Sequence, residues 1–311
     1  MEKLTMTYNA QLRWKPIAVL LVLALIWGAG MAIIKIGSRE LAPLFMAGLR
    51  SLVAGFCLFI WMKVKGITIF PSKIIVIHGI VIGLFFGAEF GLIYVGLEYT
   101  LTSRAYVFLY TAPFFVALEA HFFLEGDRLN IWKVAGLLLA FSGVVILFGV
   151  DLGSFSFSTL PGDLMIIAAA ALWATTTVYI KKHLAHRTSP LQILYYQLFF
   201  SAPLLFVMSF ALEDPIVSGF SLVTAFSVFY QCIIIAFLSY IAWFELIRRY
   251  PVSLLHAFSF FTPILGVFLS GILIMNELIS PVLVAALILV SLGMFLVNHR
   301  PATKSSRPTE P

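Results

Sequence analysis

Charged side chains are scarce in this sequence: Asp, Glu, Lys and Arg together make up only 11% of its 311 residues. Hydrophobic residues make up 61%, and the mean hydropathy is +1.04. Apolar runs of about 18 residues or more recur along the chain, the length needed to cross the roughly 30 Å hydrocarbon layer of a bilayer. The composition therefore excludes an ordinary soluble domain and indicates a protein that crosses the membrane many times.

Cysteine is rarer still, with two residues in the whole sequence. The two cysteines, Cys57 and Cys232, both lie inside apolar runs, so the sequence predicts no disulfide framework and no CxxC metal site. The spans also lack a nucleophile–base pair, a paired-acid motif and a set of metal ligands, so we expect no enzyme activity, no metal and no cofactor. The net charge of +6 comes from basic residues scattered over short loops, which argues against a nucleic-acid partner.

The apolar runs predict an all-α integral membrane protein with ten transmembrane helices joined by short connections. Residues 1–16 are expected to form a polar, basic leader, and residues 299–311 a polar tail. The predicted spans are 17–36, 43–63, 74–97, 102–124, 131–150, 162–181, 190–211, 219–247, 252–275 and 281–298.

Lysines and arginines gather at one set of span ends. Residues such as Lys63 and Lys181 lie there with most of the others, whereas the opposite ends carry Lys35, Arg39, Arg104 and little else. Because cytoplasmic connections carry an excess of Lys and Arg, both termini are expected in the cytoplasm.

The sequence repeats itself. Sliding residues 89–143 along the chain by about 150 positions lays Tyr94 on Phe244 and Pro113 on Pro263 without a gap. Each copy, 17–150 and 162–298, holds five predicted spans. Since five is odd, the second copy enters the membrane from the opposite side, and such inverted repeats are typical of secondary transporters that work by alternating access.

These residues resemble the EamA-type transporters of the drug/metabolite transporter (DMT) superfamily. The likeness rests on a tryptophan in the first span of each half (Trp27, Trp173), on Pro113 and Pro263 with short acidic turns after them, and on residues 45–50 in the second span. It covers about residues 17–298. The resemblance implies a bacterial inner-membrane protein that exports or exchanges small polar metabolites, amino acids often among them, through a cavity between the halves.

Ionisable residues inside spans are candidates for function. Arg50 and Glu89 lie at similar depth, roughly 4–5 Å from the membrane centre at 1.5 Å of rise per residue. They could form a buried structural ion pair. Alternatively one of them faces the cavity, either Arg50 binding a substrate carboxylate or Glu89 serving as the proton or amine site. The residues at the equivalent positions of the second half, Gln197 and Ser239, are neutral.

Aromatic residues and prolines complete the set of candidates. Pro113 and Pro263 interrupt backbone hydrogen bonding near mid-membrane, so each is either a hinge for alternating access or a static kink. The expected substrate-binding residues are Arg50, Glu89, Trp27, Tyr94, Tyr110, Trp173, Tyr240, Trp243 and His256.

The sequence thus predicts an inner-membrane secondary transporter whose partners are the lipid bilayer and a small-molecule substrate. Export of a small polar metabolite such as an amino acid is the favoured interpretation. A multidrug efflux pump for cationic or aromatic compounds is the alternative, against which Arg50 argues because a cation near the site repels cationic drugs. Proton coupling and a homodimeric assembly are left open.

Overall fold

A computed structural model describes residues 12–149, 157–270 and 281–298 of the chain. Nine helical stretches in these residues are long and apolar enough to cross a membrane, and the apolar helix at the start of the chain supplies a tenth span. The helices are α1 (Trp14–Gly37), α2 (Pro43–Val64), α3 (Lys73–Tyr99), α4 (Thr102–Leu109), α5 (Ala112–Phe123), α6 (Ile131–Phe148), α7 (Leu160–His183), α8 (Pro190–Leu212), α9 (Leu222–Phe229), α10 (Tyr240–Arg249), α11 (Val252–Ala257), α12 (Phe261–Ser270) and α13 (Pro281–Asn298).

Ten spans and an all-α membrane architecture are therefore confirmed. The predicted boundaries agree with the helices to within a few residues. Residues 1–11 of the leader, the connection 150–156, residues 271–280 at the end of the ninth span and the tail 299–311 lie outside the described residues.

Three spans are not the continuous α-helices that apolar runs suggest. The fourth span breaks between α4 and α5, and Pro113 follows in the first turn of α5, where a missing N–H is tolerated. The eighth joins α9 to α10 through a π-helix, Tyr230–Ser239. The ninth joins α11 to α12 through a 3₁₀ turn, Phe258–Phe260, with Pro263 just beyond it.

Several helices begin at a residue whose side chain caps the first turn. Ser189 and Gln192 form a capping box at the start of α8, where Pro190 occupies the first turn. The side chains of Ser72 and Asn130 likewise accept hydrogen bonds from the first backbone N–H groups of α3 and α6. These caps satisfy backbone donors that would otherwise be unpaired at the membrane surface.

Glycines bring the spans together. A Cβ on Gly28 of α1 would lie 2.7 Å from backbone atoms of α12, and one on Gly136 of α6 would lie 2.5 Å from a backbone oxygen of α13. Gly79, Gly83 and Gly87 give α3 a smooth face against α8. Helices that approach this closely exclude lipid and pack through van der Waals contact.

The pairing of spans has a regular pattern. The second span packs on the seventh, and the fifth packs on the tenth. The first span packs on the ninth, and the equivalent pair, the sixth and fourth spans, also pack together. The third span packs on the sixth, and the equivalent pair, the eighth and first spans, do the same. Exchanging spans one to five with spans six to ten leaves these pairings unchanged.

Candidate functional site

A cavity of about 1030 Å³ lies between the two sets of five spans. At one end its wall includes residues 38–44, 97–99 and 212–215, which belong to the connections after α1, α3 and α8 or to the helix ends beside them. This end is called the mouth. The deepest residues are Ile180 near the end of α7 and Ile247 near the end of α10, and they form the floor.

The two halves contribute to the wall at different depths. Spans one to four supply residues from their mouth-side halves, such as Ile34, Tyr94 and Tyr106, whereas spans six and eight supply central and floor residues such as Thr177 and Trp243. Among the described residues, the wall thus reaches the connections at the mouth, while residues of α7 and α10 line the opposite end, which is called the closed end.

Arg50 is the cation in the wall at mid-span. Its side chain is buried, and the guanidinium carbon lies 4.4 Å from the centre of the Phe90 ring and 5.9 Å from that of Phe86. Its Nε and Nη2 atoms have no hydrogen-bond partner in the described part of the chain. Nor does an ion pair join Arg50 to Glu89 among these residues, so a direct structural pair, one of the two expectations, is absent here.

Glu89, Gln197 and Thr262 are further buried residues of the wall, and each has a side-chain oxygen without a hydrogen-bond partner in the described part of the chain. Glu89 is 6% exposed and its Oε2 receives no hydrogen bond from any described residue; Gln197 is 5% exposed and the same holds for its Oε1. Both line the cavity with Arg50. Buried polar atoms are nearly always paired, so these groups call for hydrogen bonds from water or from a molecule inside the cavity.

Aromatic rings form much of the remaining wall. Trp27 donates from Nε1 to Ser239 Oγ over 2.8 Å, and its ring lies 5.3 Å from that of Trp243 and 6.2 Å from that of Tyr240. Tyr94 and Tyr110 also line the cavity. Ser239 and Tyr240 stand where the π-helix ends and α10 begins.

Trp173 has different surroundings. It lines the cavity, and its ring centre lies 5.0 Å from that of His256. His256 stands behind the wall: it is fully buried, and its ring Nε2 lies 3.0 Å from Thr177 Oγ1. Eight of the nine expected binding residues thus line the cavity. His256, the ninth, does not line it but contacts two residues that do, Thr177 and Trp173.

The prolines do not line the cavity. Pro113 and Pro263 are both buried beside it, each preceded by a break or a tight turn in its span. A hinge role for them stays a prediction.

The mouth carries four acidic residues, Glu40, Glu98, Glu213 and Asp214. The Glu213 carboxylate accepts hydrogen bonds from the first backbone N–H groups of α2, Leu44 at 2.6 Å and Phe45 at 3.0 Å. It therefore anchors the connection after α8 to α2.

Glu40 performs the same role at the start of α9. Its carboxylate accepts hydrogen bonds from Thr224 Oγ1 at 2.6 Å and from the Ser221 N–H at 2.7 Å. These bonds hold the pKa of Glu40 below its ordinary value of 4.5, because they stabilise the ionised form.

The closed end is held by polar links between distant parts of the chain. Lys181 of α7 donates from Nζ to the backbone oxygens of Ile247, Arg248 at 3.0 Å and Tyr250 at 3.1 Å, which closes the C-terminal end of α10. Cations at a helix C-terminus are stabilised by the helix dipole as well.

A second link at the same end joins the halves. Asp127, in the connection after α5, accepts hydrogen bonds from the backbone N–H of Ser253 at 3.0 Å and from its hydroxyl, and forms an ion pair with Lys133 at 2.6 Å.

Near the mouth, Arg104 and Asp163 form another buried ion pair at 2.5 Å.

Most of the wall could not be identified from the sequence. Phe86 and Phe90 are two apolar residues in an apolar span and were not among the expected binding residues; their four-residue spacing is the signal that could have placed them on one face of α3. Gln197 was marked only as the neutral counterpart of Arg50. Thr176 and Thr177 gave no signal at all.

Comparison with known proteins shows what the chain is similar to. The model of the EamA-like transporter family matches residues 14–149 and 160–299. The uncharacterized transporter YoaV of Bacillus subtilis is 24% identical over 88% of this chain and 92% of its own length. A probable amino-acid metabolite efflux pump of Escherichia coli is 24% identical over 89% and 92%. One solved crystal structure has the same fold, with a TM-score of 0.79 at 21% identity, over 92% of this chain and 98% of that one.

Proposed function

The chain belongs to the EamA-like transporter family and is a multi-pass membrane transporter, and we propose that it exports a small polar metabolite bearing a carboxylate, such as an amino acid. The observation that carries this proposal is that the Arg50 side chain is buried in the cavity wall with two guanidinium nitrogens that have no hydrogen-bond partner in the described part of the chain. A buried guanidinium with two unpaired nitrogens is costly unless an anion completes it. A planar carboxylate fits the guanidinium through two parallel hydrogen bonds.

Glu89 and Gln197 supply the complementary half of the site. The unpaired oxygens Glu89 Oε2 and Gln197 Oε1 are acceptors suited to an ammonium or hydroxyl group. The aromatic wall around Trp27 and Trp243 suits an apolar portion of the ligand. The name of the Escherichia coli relative, a probable amino-acid metabolite efflux pump, agrees with this chemistry.

Alternating access is supported by the asymmetry of the cavity. Its wall reaches the connections at the mouth, whereas described residues of α7 and α10 line the opposite end, and the span pairings are unchanged when the halves are exchanged; both observations support a second conformation in which the opposite end is open. The charge rule puts the closed end in the cytoplasm together with both termini, in the inner membrane. The structure then corresponds to the outward-open, substrate-releasing state.

Ligand-induced stabilisation tests the substrate class. The full-length protein in detergent is heated with amino acids, their deaminated carboxylic acid analogues, nucleosides, sugars and cationic dyes. A ligand at 100 times its Kd stabilises the folded state by about 2.7 kcal/mol, which raises the Tm measurably. Arg50→Gln should weaken binding of a carboxylate ligand about 10- to 100-fold, since a charge-assisted hydrogen bond contributes about 1.5–3 kcal/mol.

The matched control is Arg249→Gln, which removes the same charge from an exposed side chain outside the cavity wall. It should bind every ligand as the parent does. If no carboxylate stabilises the protein, or if Arg50→Gln binds one as well as the parent, the proposed site is wrong.

A multidrug efflux pump is the second candidate, because Glu89, the aromatic wall and the acidic mouth suit a cationic aromatic compound. In the same assay it predicts stabilisation by the dyes alone. That stabilisation would be retained in Arg50→Gln and lost in Glu89→Gln.

A further inference from the structure

Trp27 and Trp173 occupy equivalent positions of the two repeats, yet they differ in what they contact. Trp27 donates a hydrogen bond to Ser239 and packs against Tyr240 and Trp243, all in the eighth span. Trp173 instead lies against His256 in the ninth span. If the two halves exchange their arrangements during transport, then in any one conformation the two equivalent tryptophans have different contacts, as observed here.

The sequence identifies the partner that Trp173 lacks. At the 150-residue offset, Ser239 falls on Glu89, so the counterpart of the Trp27–Ser239 hydrogen bond is a bond from Trp173 to Glu89. In the described part of the chain the Trp173 indole N–H has no acceptor, and Glu89 Oε2 has no donor. Both side chains line the cavity, on helices α7 and α3 that already pack against each other.

We propose that the two tryptophans exchange hydrogen bonds during transport: Trp27 bonds to Ser239 in the present conformation, and Trp173 bonds to Glu89 in the conformation open at the other end. The inference rests on the alternating access proposed above. It gives Glu89 a role that does not depend on the substrate, as the acceptor that stabilises the second state.

The exchange is asymmetric in strength. Trp27 donates to a neutral hydroxyl, which itself donates to the Ile235 backbone oxygen. Trp173 would donate to a carboxylate, and charge-assisted hydrogen bonds are stronger than neutral ones. The second state therefore gains more from its tryptophan than the present state does. Protonation of Glu89 would reduce that difference.

Distances between spin labels test the exchange. Labels are attached at Leu101→Cys and Phe220→Cys, two exposed positions in the connections on either side of the mouth, in full-length protein carrying Cys57→Ser and Cys232→Ala. Pulsed electron–electron double resonance in lipid nanodiscs then gives the ratio of open-mouth to closed-mouth molecules without any substrate.

Ser239→Ala should shift that ratio about fivefold toward the closed mouth, the change that one net hydrogen bond supports. Glu89→Leu should shift it at least as far toward the open mouth, and the double variant should return toward the parent. Glu89→Gln keeps an acceptor and should shift the ratio less than Glu89→Leu, which separates the hydrogen bond from the charge. Trp173→Phe provides the same test as Glu89→Leu from the donor side.

Shifts of both single variants in the same direction, or no response to Glu89→Leu and Trp173→Phe, would overturn the exchange while leaving alternating access intact. A single mouth distance in the parent, in every variant and with a stabilising ligand would instead overturn the alternating access on which the inference rests. The two failures are thus distinguishable.

Discussion

The link between Asp127 and Ser253 predicts a measurable coupling between the two halves of the protein. Asp127 is 3% exposed and accepts hydrogen bonds from the Ser253 N–H and hydroxyl and from Lys133 Nζ. Asp127→Ala leaves Lys133 without its carboxylate partner. Removing one member of a buried ion pair costs about 3–5 kcal/mol, and because 14% of the Lys133 side chain is exposed, about 3 kcal/mol is expected.

Ser253→Ala removes the hydroxyl, which donates to Asp127 and accepts a hydrogen bond from Lys133 Nζ at 3.0 Å, and keeps the backbone N–H bond to Asp127. A hydrogen bond to a charged group contributes about 1.5–3 kcal/mol, so a loss in that range is expected. The hydrogen bond between the Ser253 hydroxyl and Asp127 is already absent in Asp127→Ala. The double variant should therefore lose less free energy of unfolding than the sum of the losses in the two single variants, by about 1.5–3 kcal/mol.

The free energy of unfolding is measured by titrating the protein from a mild detergent into sodium dodecyl sulfate and following tryptophan fluorescence. Ser291→Ala is the control, since the Ser291 hydroxyl is exposed and bonds only to a backbone oxygen of its own helix. That variant should stay within about 0.5 kcal/mol of the parent. Additive losses in the Asp127 and Ser253 variants, within the same margin, would refute the coupling.

Three further outcomes are expected. Gly28→Ala should lower the Tm strongly, because its Cβ would lie 2.7 Å from backbone atoms of α12, whereas Gly55→Ala, with nearest atoms at 3.9 Å, should leave the Tm almost unchanged. The lowered pKa of Glu40 contributes stability above pH 4.5 that is lost as the pH falls through the lowered pKa, so Glu40→Gln should flatten the acidic end of a plot of Tm against pH. Gln197→Leu should weaken binding of an amino acid more than that of its deaminated analogue, measured by thermal stabilisation, because only the amino acid donates to Gln197 Oε1.

Hydropathy predicted the spans well because a helix that crosses a bilayer must bury its backbone groups within itself. The boundaries of α2, α8 and α13 follow from a proline or capping residue beside an apolar run, and those signals are local. The π-helix in the eighth span has no such signal, since its residues are as apolar as those of a regular span.

The contacts of Arg50 show why the site was harder to predict. Depth along the span placed Arg50 near Glu89, but depth does not give the direction in which a side chain points around its helix. The structure turns the guanidinium over Phe90, and Glu89 keeps an unpaired oxygen. The Arg104–Asp163 pair was equally hidden, since its members lie 59 residues apart on spans whose contact no local pattern predicts.

The π-helix between Tyr230 and Ser239 has a mechanical consequence. The eighth span, Leu222–Arg249, has 28 residues and its counterpart α3 has 27, yet α3 is α-helical throughout. Hydrogen bonds from residue i to i+5 wind more residues into each turn than an α-helix does. The eighth span is therefore shorter than an α-helix with the same number of residues. Rewinding those ten residues as α-helix would lengthen the span and rotate Tyr240 and Trp243 about the helix axis, while all ten residues remain helical.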